Sequence, residues 1–333
     1  MRSKAMIAVV ATPVLYLLLE YVRRTGIINA YWAQIMDLSL IITISALGLS
    51  LIYGFAGQFS LGHAAFYGIG AYAGGLITQK MGGTQFWFAV ALLTGAATAG
   101  LLAYLIGLPI LRLKSDYLGI ATLGFGVIVK VMMDNTDKFV ASMGGSRGML
   151  GIPRMASFAW IFWLAVAMIL LARNLVNSAH GRAWISVRED ETSADIMGIN
   201  TTHFKTMAFV LGCSMAGLAG ALYSHRYPFL HPSSFDFLKS FDVLLVVVLG
   251  GLGSITGTVV TAVAWVFLLE WLREVLPQNL LDWRGVIYAL LLIVMMILRP
   301  QGLLGGKELT LVPEQTATPP APKQKEAKKR ASA

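Results

Sequence analysis

Read for polarity alone, the chain is a series of long apolar runs separated by short polar breaks. Ten runs reach or approach bilayer length: about 5–22, 31–54, 60–79, 86–111, 117–134, 158–173, 203–223, 236–250, 254–275 and 284–299. A spanning helix needs roughly 17–25 mostly apolar residues. The eighth run is short, and the glycine hinge "GGLGS" at 250–254 makes it a candidate re-entrant element. The pattern predicts an all-α polytopic membrane protein of about ten transmembrane helices, eight or nine if short runs pair, with some helices broken or re-entrant.

Composition supports the same solvent. Hydrophobic residues make up 56% and charged residues 13%, about half the roughly 25% charged content of a soluble domain. The mean hydropathy is +0.69. A single cysteine, Cys213, excludes an internal disulfide framework and a cysteine metal cluster. The net charge of +9 sits at the ends of apolar runs and in the C-terminal tail. That distribution suits an anionic membrane surface, not nucleic acid.

The opening "MRSKAMIAVVATPVLYLLLEY" has a basic start but no clean small-residue cleavage site, and reads as an uncleaved first span. Residues 1–306 form the expected transmembrane domain. Residues 307–333, rich in Pro, Ala and Lys, are an expected disordered tail. Ten spans put both termini on one side, and Lys323, Lys325, Lys328, Lys329 and Arg330 argue that this side is cytoplasmic. The segment 178–202 then also faces the cytoplasm. Arg23 and Arg24 fall on the opposite side, against the trend.

Glycine clusters in two places: seven within 53–75 and four within 250–258. Glycine costs about 1 kcal/mol per residue in a helix relative to alanine, so such density needs a reason. Gly70–Gly74 and Gly212–Ala216–Gly220, at four-residue spacing, suit close helix packing. Gly54–Gly57 and Gly250–Gly253 suit broken helices that expose backbone groups to a cavity. Gly57-Gln58-Phe59-Ser60 roughly echoes Gly253-Ser254-Ile255-Thr256, a hint of internal duplication.

No enzyme chemistry is legible. "GLLGGKE" at 302–308 has the wrong glycine spacing for a Walker A loop, and Glu308 stands where Ser or Thr would hold magnesium. "GIGAYA" at 68–73 has no βαβ setting, and the five histidines show no metal-ligand spacing. Ionisable residues within spans are functional candidates by default. They are Asp37, His63, Lys130, Asp242 and Glu270. Lys130 and Glu270 lie near span ends and are expected to snorkel. Asp37 is either cavity-facing or an interfacial cap, and His63 either a pathway group or a packing histidine. With Gly57, Gln58 and Ser60, the residues Asp37, His63 and Asp242 make up the candidate substrate pathway. So few carboxylates disfavour a proton-driven carrier and fit a conduit moved by an external engine.

One acidic segment interrupts the apolar pattern: "REDETSADIMGINTTHF", 188–204. Thr192 and Asp195 match a capping box, Gly198 is placed to end the helix that follows, and Asn200, Thr201 or Thr202 can cap the next. Ile196, Met197 and Ile199 form a small apolar knob flanked by Arg188, Glu189, Asp190 and Glu191. This reads as a short surface helix built to dock a cytoplasmic partner, against the plainer alternative of an ordinary surface helix.

Nearly the whole chain resembles the permease subunits of branched-chain amino acid ABC importers, of the LivM type. The stretches that carry the resemblance are "GLSLIYGFAGQFSLGHAAFYGIGAYAGG", "DYLGIATLGFG", "GGSRGMLGIP", "SVREDETSADIMGINTTHFKTMAFVLGCSMAGLAGALY", "SFDVLLVVVLGGLGSITGTVVTA" and "RGVIYALLLIVMMILRPQGLLG". The resemblance implies a coupling helix with a Glu-Ala-Ala-x-x-x-Gly core. Ser193, Ala194 and Gly198 follow that core with Ser for the first Ala, and Glu191 stands one residue early. It also implies no cofactor, and ATP hydrolysis on separate subunits. The expected partners are a second homologous permease, two ABC ATPases, an extracytoplasmic solute-binding protein and the bacterial inner membrane. The implied cargo is Leu, Ile or Val, with relatives that carry urea, short amides or other amino acids. A stand-alone secondary transporter and a structural scaffold are the competing classes.

Overall fold

The computed structural model describes residues 2–26, 28–111, 113, 115–275, 290, 293–294, 297 and 302–304. By contact the chain falls into two units, residues 1–18 with 309–333, and residues 19–308. In the first, residues 2–18 belong to helix α1 (Arg2–Arg24). The second holds the end of α1 and the helices that follow it. In order these are α2 (Ala30–Leu49), a π-helical turn (Ser50–Phe55), α3 (His63–Met81), α4 (Gln85–Ile110), α5 (Ser115–Asp134), α6 (Phe158–Val176), α7 (Ala179–Glu189), α8 (Glu191–Ile196), α9 (Thr201–Arg226), α10 (Phe237–Gly250) and α11 (Ile255–Val275). Among the described residues there is no strand, only an isolated bridge between Met149 and Leu230.

This is an all-α membrane protein. Among the described residues, six helical stretches are long and apolar enough to cross a bilayer: 30–55, 85–110, 117–134, 158–176, 201–226 and 255–275. α1, α3 and α10 also coincide with apolar runs. The tenth run, 284–299, lies almost entirely outside the described residues, and the tail 307–333 wholly so.

The burial pattern explains the sequence pattern. α9, 26 residues and so about 39 Å long, packs against α2, α3 and α4. It and α2 are apolar on every side because protein surrounds them. The outer helices instead turn large apolar side chains outward: Leu93 on α4, Leu101 on α4 and Ile120 on α5 are all exposed. Such a surface is stable only against lipid. The small-residue stripes do what their spacing predicts. A Cβ on Gly70 would run into the Gly217 carbonyl, and one on Gly220 into the Tyr67 carbonyl, so α3 and α9 cross with backbones in contact.

Two departures from the sequence reading matter for function. The run at 60–79 becomes helical only at His63, leaving 56–62 irregular between buried helices. The segment 178–202, where the sequence offered one short surface helix, holds two, because α7 precedes α8. α7 is anchored by Trp184, which is fully buried and donates from Nε1 to the Phe204 carbonyl at 3.0 Å.

Candidate functional site

The acidic segment folds as a capped turn, although the cap is not the expected one. Asp190, not Thr192, is the N-cap of α8. Its Oδ1 accepts from the Thr192 N–H at 2.9 Å and the Ser193 N–H at 3.1 Å, and its Oδ2 from the Ser193 hydroxyl at 2.9 Å. A carboxylate can satisfy three donors at once, which a hydroxyl cannot, so it takes the position. These bonds, the Ser193 N–H and hydroxyl foremost, hold the Asp190 carboxyl below the usual carboxylate range. Asp195 does not reach back; it accepts from the Thr201 hydroxyl at 3.1 Å. Gly198 turns the chain at φ +84°, and Asn200 caps α9 by accepting from the His203 N–H at 3.0 Å. Ala194 is buried, while Ile196 and Met197 at the tip are 80% and 81% exposed.

This segment is wired directly to the two broken glycine stretches. Arg188, near the end of α7, donates from Nη1 to the Gly54 carbonyl at 2.7 Å, inside the π-helical turn. Its stem lies over Gly57, where a Cβ would meet Arg188 Cγ at 2.8 Å, and Gly57 holds φ +71°. A Cβ on Gly253, in the turn between α10 and α11, would lie 3.1 Å from Arg188 Nη1. One guanidinium therefore touches both breaks. The two breaks also touch each other, since a Cβ on Gly54 would lie 3.1 Å from the Gly253 amide nitrogen. π-turns concentrate at functional sites because they free backbone carbonyls; here the freed carbonyl holds the arginine.

A second link runs through Lys205 on α9. Its ammonium pairs with Glu191, and its carbonyl accepts from Gln58 Nε2 at 2.9 Å. Gly57, Gln58, Arg188, Glu189, Glu191 and Lys205 together line a cleft of about 420 Å³. Residues singled out for coupling and for the pathway thus meet at one place.

The remaining pathway candidates lie elsewhere. Ser60 is buried beyond the break. His63 is fully buried, with Nε2 2.9 Å from the Ser45 carbonyl, and ties α3 to α2. Asp37 sits at the opposite end of α2, fully buried between Arg23 Nη1 at 2.6 Å and Arg226 Nη2 at 2.7 Å. The Arg23 that defied the charge trend is therefore an internal ion partner, further held over the Phe158 ring at 4.4 Å. Arg24 pairs with Glu20 at 2.9 Å. Of the groups expected to snorkel, Glu270 accepts from the Tyr31 hydroxyl at 2.8 Å.

Asp242 is half-exposed and 3.4 Å from Lys239. It opens onto a second cavity of about 430 Å³ among α2, α3, α9 and α10, walled also by Leu38, Ile42, Tyr67, Tyr223 and Tyr227. Sequence reasoning missed these tyrosines. They come from two stretches far apart in the chain, α3 and the end of α9, and only the fold assembles them.

A family model described as "Branched-chain amino acid transport system / permease component" matches residues 31–296. The chain belongs to that family. It is 34% identical over 309 residues to the high-affinity branched-chain amino acid transport system permease protein LivM of Escherichia coli, covering 81% of this chain and 69% of that one. The Salmonella typhimurium LivM is equally similar, 34% over 305 residues with the same coverage. The Escherichia coli permease LivH is 27% identical over 292 residues, 80% of this chain and 92% of its own. No solved structure matches.

Proposed function

We propose that this chain is the membrane-spanning subunit of an ABC importer for branched-chain amino acids, the cargo named for its LivM and LivH relatives. It works beside a second, homologous permease, two ATPases and an extracytoplasmic binding protein, in the bacterial inner membrane with about ten spans. α8 is the element the ATPase grips. It faces the cytoplasm together with both termini, and Asp37, Tyr223 and Asp242 face the other side.

The observation that carries this reading is the position of Arg188. A displaced α8 pulls Arg188, and Arg188 reaches the carbonyl of Gly54 and the backbone at Gly57 and Gly253. Movement at the docking surface is thereby delivered to the two points where the helices are already broken and can hinge. Ile196 and Met197 supply the apolar knob that an ATPase groove would cover. A proton-driven carrier working alone is disfavoured by the same structure, because Asp37 is neutralised by two arginines instead of standing free.

Gentle detergent purification from the native membrane, with mass spectrometry of what co-purifies, tests the assembly. A second permease with Walker-containing ATPases, and ATP-dependent leucine uptake on reconstitution, is the expected result. A chain that emerges alone and still moves solute in liposomes would overturn it.

A further inference from the structure

The cavity at the far end of α9 is organised unlike the cleft at Arg188. One wall is apolar: Leu38 and Ile42 on α2. A second wall is aromatic, with the Tyr67 and Tyr223 ring centroids 5.7 Å apart. At its mouth stand one cation, Lys239, and two anions: Asp242, one turn away on α10 and only loosely paired with Lys239 at 3.4 Å, and Asp236, whose Oδ1 is taken up by the Leu238 N–H at 3.0 Å as the cap of α10. One buried polar group of its lining residues has no protein partner: the Tyr67 hydroxyl, on a residue 4% exposed. The Ser45 hydroxyl, also without a partner, lines a separate narrow crevice that shares Ile42, Tyr67 and Lys239 with the cavity.

An unpartnered buried hydroxyl costs about 1–3 kcal/mol, so its retention facing a cavity points to a partner that comes and goes. A volume of about 430 Å³ lies within the range of small-ligand sites.

We infer that this cavity is a receiving site for a free α-amino acid with an aliphatic side chain. Lys239 meets the carboxylate, Asp242 the ammonium, Leu38 and Ile42 the side chain, and the Tyr67 hydroxyl donates to the carboxylate as the solute moves inward. The inference rests on the importer reading above and adds to it a place where this chain itself holds the solute. Opposite charges a turn apart suit a zwitterion and disfavour urea or an amide, which carry no charge.

The test uses the reconstituted complex without its binding protein. The native Cys213 is buried, so a cysteine introduced as Leu238→Cys, at the exposed rim, reports alone to an impermeant maleimide. Leucine at four times its dissociation constant should slow labelling about fivefold, and acetamide should not slow it. Adding Tyr67→Phe should weaken that protection severalfold, with assembly and basal ATP hydrolysis serving as folding controls. If the wild-type complex imports leucine once its binding protein is added, and yet leucine leaves the labelling rate unchanged up to solubility, the receiving site is wrong while the importer reading stands. If the wild-type complex imports no leucine even with its binding protein, the reading itself has failed and the inference falls with it.

Discussion

The two ends of α9 solve different problems with different materials. At the α8 end the joint to the broken helices is backbone and glycine: one arginine threads between Gly54, Gly57 and Gly253, with the Lys205–Glu191 pair beside it. At the Asp37 end the contacts are side chains: a buried carboxylate between two arginines, and tilted tyrosine pairs around a cavity. A backbone joint bends by changing φ and ψ at a few residues, as hinge elements do. A buried ion triad resists bending, because any separation exposes a charge to a medium that cannot solvate it. The comparison assigns motion to one end and rigidity to the other.

The largest expected effect of breaking this contrast is at the rigid end. Asp37→Ala leaves Arg23 and Arg226, both half-buried, facing each other without their buried anion and should cost about 3–5 kcal/mol, seen as a large drop in denaturant midpoint in detergent. Gly57→Val should approach that cost, combining roughly 1–3 kcal/mol of overpacking against Arg188 with the left-handed backbone penalty of about 1–2 kcal/mol at φ +71°. It should also eliminate leucine uptake in proteoliposomes, since the joint itself is jammed.

Gly198→Val meets open space and carries only the left-handed backbone penalty of about 1–2 kcal/mol at φ +84°. The protein should fold, and solute-stimulated ATP turnover should disappear; normal turnover would remove α8 from the coupling role. Smallest is the effect of pH on α8. The Asp190 carboxyl is held below its ordinary range, so its capping contribution is full above about pH 3.9 and lost as pH falls through the lowered value. A spin label at Met197 should stay ordered at pH 5 and become mobile only at acidities well below the ordinary carboxylate range. Asp190→Asn should make the label more mobile at neutral pH.

What the sequence made legible follows from range. Apolar runs fix where helices lie because burial in lipid or protein is a local demand on each segment, and nine of the ten runs coincide with helices. Gly198 and Asn200 were readable because a left-handed turn and an N-cap are also local. Asp190 was not. Two acceptable caps stand two residues apart, and the capping-box spacing favours Thr192 until the Ser193 hydroxyl is seen to add its bond. The pairing of Asp37 with Arg226, and of Arg188 with Gly54, spans 189 and 134 residues. No local pattern announces contacts of that kind. Asp37 and His63 were correctly marked as unusual, and the fold places both apart from the cleft that holds Gly57 and Gln58.

The central claim is that Arg188 transmits force from the docking helix to the broken helices. The most direct test is leucine-stimulated ATP hydrolysis and leucine uptake, measured together on the reconstituted complex carrying Arg188→Ala. The account predicts an assembled complex that retains basal ATP hydrolysis but loses both stimulation and uptake. Wild-type uptake and stimulation in Arg188→Ala would contradict it.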